Sequence, residues 1–249
     1  MKQTLPSRGW LGTGQKLFGY IGRISLSLSV LWVMHGLLNQ AFAEGKESTE
    51  ADLPKAIAPQ VVFENTDAET EVLGRKIIAI TAERFEKITG THVGKLPVIV
   101  KFTDEIVFGD ASRISSGRVQ GVTLYDRDSC TIQIAKKRIS TFGRVLAHEV
   151  THVFVREAFG QAFNRTLNEG LAEYLAAQEF PAEVERDMRN ASAKGFVPQA
   201  LRTYVDGHRF CKHFAEDANF AAFFASEIKK STYTDFSELK IAWEEQVSK

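Results

Sequence analysis

Apolar residues along this chain change their spacing several times, and each change predicts an element. Val61-Val62-Phe63 is a short apolar run that predicts a strand. Over 68–89, Val72, Ile77, Ile80, Phe85 and Ile88 recur at three- and four-residue steps, which predicts a helix, with Gly90 where a helix C-cap belongs. The β-branched run 96–102 predicts a buried strand, and 104–116 reads as loop. Gly121–Tyr125 and 131–135 predict two strands joined by a turn at Asp126-Arg-Asp-Ser129, with Ile132 and Ile134 facing opposite to Thr131 and Gln133. An apolar helix is expected over about 140–158, closed by Gly160, and a second over about 167–180, stopped by Pro181. From 182 to 247 the pattern is helical, broken near Gly195-Phe-Val-Pro198. A small sheet followed by helices is an α+β order.

Charge changes this picture at one end. Residues 1–43 carry Lys2, Arg8, Lys16 and Arg23 and no acidic residue. The apolar run 24–38 follows, then Ala41-Phe42-Ala43, a small-x-small cleavage pattern. The segment is expected to be an export signal or, with its long basic leader, an uncleaved N-terminal anchor. Export places the protein in the periplasm or outside the cell, and the anchor would be its only membrane contact. Residues 44–57 read as a polar linker and 58–249 as one domain. Without the four N-terminal cations, 27 basic side chains face 31 acidic ones, so nothing points to nucleic acid. Cys130 and Cys211 form either a disulfide or two buried thiols.

His148-Glu149-Val150-Thr151-His152 carries the chemistry. Residues four apart share a helix face, so the two imidazoles can reach one Zn²⁺. Glu149 lies about 100° around the helix from His148. It stays off the metal, beside a water that it can deprotonate while zinc polarises a carbonyl. The flanking residues are apolar on nearly every side, so this carboxylate is buried, which a nearby dication compensates.

A catalytic zinc needs a third protein ligand and an open position. A His six residues after the second is ruled out, because Ala158 stands there. Glu169, in Thr166-Leu-Asn-Glu169-Gly-Leu-Ala-Glu173-Tyr174, can supply a carboxylate oxygen from the second helix. Glu173, one turn on, can hydrogen-bond a free imidazole nitrogen and fix the ring. The same residues also fit a capping box, Thr166 to Glu169, with Glu173 facing solvent.

His148-Glu149-x-x-His152 followed by Asn168-Glu169-Gly170-Leu171-Ala172-Glu173-Tyr174 resembles the gluzincin metallopeptidases, especially the peptidase MA-like families. The match covers about 140–177. The stretch 163–167 lacks the Trp that members often carry there. The resemblance implies a zincin-like fold, in which the small mixed sheet supports the active-site helix and a mainly helical part follows. It implies Glu169 as third zinc ligand, Glu173 as support for a ligand His, and a substrate-binding edge strand within 117–135. Relatives often keep a Tyr or His in the C-terminal helices to stabilise the oxyanion; Tyr204, His208 and His213 are the candidates here.

The expected function is zinc-dependent hydrolysis of a peptide or protein substrate, with Glu149 as general base. An extended peptide would dock on the backbone near 131–135 by strand addition. The alternatives are an exported zincin-fold protein that binds zinc without turnover, and a metal-free helical protein.

Overall fold

Local signals set the first helix and the first strands. In the computed structural model, which describes residues 61–108, 112–114, 120–162, 164–192, 199–230, 233 and 235–248, β1 is Val61–Glu64 and α1 is Ala68–Thr89. Asp67 caps α1 by accepting a 2.7 Å hydrogen bond from the Thr70 amide, and Gly90 ends it at φ 67°. That left-handed conformation suits a residue without Cβ. The export segment and the linker expected over 1–57 lie outside the described residues. No helix among the described residues is long and apolar enough to cross a membrane.

The main sheet has four strands in the order β1-β2-β6-β5, where β2 is Val98–Thr103, β5 Gly121–Tyr125 and β6 Cys130–Ala135. β1, β2 and β6 run parallel, and β5 returns antiparallel to β6 through the turn at 126–129. Val98, Val100 and Phe102 sit in register with Cys130, Ile132 and Ile134, and all six are buried. Their alternation with half-exposed neighbours shows that one face of the sheet meets the core. The stretch expected as a loop over 104–116 also contains a two-stranded ribbon, β3 (Ile106–Phe108) and β4 (Ser112–Ile114). Strands of three residues are too short to show a period.

A 3₁₀ turn, Lys136–Thr141, leads into α2, Phe142–Phe159, which is buried for most of its length between the sheet and the other helices. The next helix, α3, runs Arg165–Glu179 and begins earlier than expected. Its cap is Asn164, whose side chain accepts from the Leu167 amide at 3.1 Å. α3 ends just before Pro181, as expected. Pro181 is the first residue of α4, Pro181–Ser192, where its missing N–H costs nothing. Then follow α5 (Gln199–Phe214), α6 (Phe220–Glu227) and α7 (Phe236–Val247), packed around Phe210, Phe220, Phe223 and Trp243. The Gly/Pro break at 195–198 lies outside the described residues. The molecule is therefore α+β, a small mixed sheet followed by a mainly helical part. Cys130 and Cys211 are both free and buried, so the thiol alternative holds and the disulfide does not.

Candidate metal centre

The helical repeat puts His148 and His152 on one face of α2, and α3 crosses that face with Glu169. Three atoms converge there. His148 Nε2 and His152 Nε2 are 3.2 Å apart, and Glu169 Oε2 lies 3.3 and 3.5 Å from them. Tetrahedral ligands at about 2.0–2.1 Å from a zinc ion stand about 3.3–3.4 Å from one another. The Glu169 oxygen is buried and has no hydrogen-bond partner, a costly state for a carboxylate that a cation would relieve. The donor set of two imidazoles and one carboxylate suits zinc, so these residues fit the ion.

The second nitrogen of His152 meets a hydrogen-bond acceptor, and that of His148 makes an ion-pair contact without a hydrogen bond. His152 Nδ1 is 3.0 Å from Asn168 Oδ1, and His148 Nδ1 is 3.3 Å from Glu173 Oε1. The Asn168 oxygen favours the Nδ1 proton on His152 and so directs the Nε2 lone pair of the neutral ring toward the triangle. Glu173 is 4 % exposed, which corrects the solvent-facing alternative. The capping-box alternative fails as well. Asn164 is the cap, and the Thr166 hydroxyl donates to the Tyr233 carbonyl at 2.6 Å.

Electrostatics bind the cluster together. Burial alone would lower the His148 basicity, but Glu169 and Glu173 overcome it and push the ring up to about 10. Burial likewise opposes the charge on Glu169 and Glu173, yet the histidines hold Glu169 far below the carboxylate range, and His148 and Arg144 hold Glu173 at about 2.

Glu149 is buried and points away from the ligand face. Thr123 on β5 holds it, its hydroxyl lying 2.8 Å from Glu149 Oε2 and 3.0 Å from the Glu149 carbonyl. Gly121 leaves the room this requires, since a Cβ there would stand 3.0 Å from Glu149 Cγ and 2.5 Å from Val145 Cγ1. β5 is the edge of the sheet, and β6 is paired on both sides. The segment 131–135 therefore has no free backbone edge, which corrects the expectation that an extended peptide adds there; the edge strand beside it is Gly121–Tyr125.

The three oxyanion candidates separate on α5. The Tyr204 ring stacks on His148 with centroids 6.0 Å apart, and its hydroxyl bonds Arg165. Burial, with Glu169 nearby, raises that hydroxyl to about 12. His208, one turn on, stands near Glu173 instead, and burial lowers its basicity. His213 is corrected. It is exposed and packs on Phe214, and nine residues place it about 180° around the helix from Tyr204.

Asn168, Arg144 and Thr123 escaped the sequence reading. Arg144 stands one turn before His148 on the same stripe, and Asn168 sits inside the quoted motif; both positions were signals. Thr123 carried none, because its role depends on strand register. Comparison of the chain with protein-family models, curated proteins and solved structures finds no match.

Proposed function

We propose that this chain is an exported zinc-dependent hydrolase of zincin-like, gluzincin type, acting on peptide bonds. The reading is supported above all by the 3.2–3.5 Å triangle of His148, His152 and Glu169 donor atoms. When bound, zinc polarises the substrate carbonyl and acidifies a water. Glu149, oriented by Thr123, takes the proton of the attacking water and passes it to the leaving amine. The Tyr204 hydroxyl, kept protonated by its raised pKa, donates to the carbonyl oxygen as that oxygen gains charge. An extended peptide adds to the sheet beside Gly121–Tyr125 and so passes next to Glu149.

Zinc binding without turnover is supported less well. A structural zinc is closed by four protein ligands, and the cluster among the described residues has three. Such a site also has no use for a carboxylate held beside it. Glu149→Gln tests the reading. Zinc content should stay at the wild-type level while hydrolysis of a casein or peptide-library substrate falls by about 10²-fold or more. Hydrolysis by the variant at the wild-type rate removes Glu149 as the base.

A further inference from the structure

Besides His148, the Glu173 carboxylate meets the guanidinium of an arginine that the proposed reaction does not use. Arg144 lies on α2 one turn before His148, with its side chain 11 % exposed. Its Nη2 donates to both Glu173 oxygens at 3.1 Å, and its Nη1 lies 3.5 Å from Asp187 on α4. Glu173 Oε1 in turn stands 3.3 Å from His148 Nδ1. The chain Asp187–Arg144–Glu173–His148 thus runs from α4 to the metal triangle.

We infer that Arg144 is a positioning residue that sets the zinc affinity of the site through Glu173. The inference rests on the zinc reading above and adds a residue to it. Glu173 is 4 % exposed, so its oxygens must find their partners within the protein, and Arg144 supplies two of those hydrogen bonds. Near the triangle, Glu149, Glu169, Glu173 and Asp187 bring four carboxylates together. Arg165 stands 3.7 Å from Glu169 and Arg186 3.6 Å from Asp187, while Arg144 is the guanidinium that bonds Glu173. With Arg144 in place, the Glu173 carboxylate is locked in orientation 3.3 Å from His148 Nδ1, and the ring is held with Nε2 toward His152 and Glu169. Without Arg144, Glu173 loses two charge-assisted hydrogen bonds and is free to swing, and the ring loses its restraint. Asp187 holds the far side of the guanidinium, so the packing of α4 contributes to the same restraint.

The test is a double-mutant cycle on zinc affinity, measured by competition with a chromophoric chelator on folded protein. Arg144→Met should weaken zinc binding by about 10–100-fold, the range for loss of a group that supports a metal ligand. In the Glu173→Gln background the same substitution should change affinity by less than about threefold, because the route is already cut. A merely structural arginine would instead lower the stability of the zinc-free protein and leave zinc affinity alone. If Arg144→Met does not fold, Arg144→Lys carries the test. A single ammonium cannot reproduce the guanidinium fork, and a loss of at least about threefold is expected with an unchanged circular dichroism spectrum. Affinity within about twofold of wild type in the folded variant overturns the inference, as does an equal loss with and without Glu173. If the wild type itself takes up no zinc, the zinc reading fails rather than this addition to it.

Discussion

At the scale of single residues, the proposed zinc site would set a proton and a metal ion in competition for His148. In the zinc-free protein, His148 is raised from 6.5 to about 10. Its stabilising contribution is complete below about pH 6.5 and fades as pH rises through about 10. Glu173 has the opposite sign: lowered from 4.5 to about 2, it contributes above 4.5 and is lost as pH falls through about 2. Zinc needs the lone pair that the His148 proton occupies. Apparent zinc affinity should therefore rise with pH, by up to about tenfold per unit between about pH 6.5 and 8.5, with release of a proton on binding. Chelator competition at three pH values measures this, and a flat profile would show that His148 is already deprotonated. Thr123 acts on the base rather than the metal. Thr123→Val should lower kcat by about tenfold while zinc affinity stays unchanged, because the hydroxyl it removes bonds Glu149, at Oε2 (2.8 Å) and at the carbonyl (3.0 Å), and none of the three triangle residues. Steady-state kinetics beside a zinc titration checks both halves.

At the scale of elements, the site depends on how closely α3 and α5 approach. Gly170 and Gly207 face each other, and a Cβ on Gly207 would fall on the Thr166 carbonyl oxygen and 2.8 Å from the Gly170 Cα. No side chain at 207 fits without moving α5, and α5 carries Tyr204. Gly207→Ala should cost about 1–3 kcal/mol of stability in urea unfolding and reduce kcat more than zinc affinity. Unaltered stability would mean that the two helices separate freely. The elements also show what the sequence made legible. α1 was readable because its period, its Asp67 cap and its Gly90 stop are all local. The start of α3 was misplaced because Asn164 and Thr166 are both good caps, and only the contact of Thr166 with the Tyr233 carbonyl decides between them. The strand order β1-β2-β6-β5 was hidden, since parallel pairing joins distant segments and leaves no local mark. Hence β6 was taken for a free edge. His148, Glu149 and His152 were legible because one helix sets their spacing. Arg144 and Asn168 needed the crossing of α2 with α3 before their partners could be named. His213 was separable from Tyr204 by helical phase alone.

At the scale of the whole molecule, zinc would tie α2 to α3 across the helical part. Ligand binding to the folded state alone stabilises it by about 4 kcal/mol when free zinc is a thousand times Kd. For a domain of this size that is about 8–16 °C in Tm. Chelation by EDTA should lower Tm by that order, and added zinc should restore it. Equal melting with and without chelator would mean that the folded protein holds no zinc.

The most direct measurement is the zinc content of protein purified without added metal, wild type beside Glu169→Ala. The account predicts one zinc per wild-type chain and a loss of about tenfold or more in affinity when the carboxylate is removed. Wild type without zinc, or a variant that binds it as tightly as the parent, would contradict it.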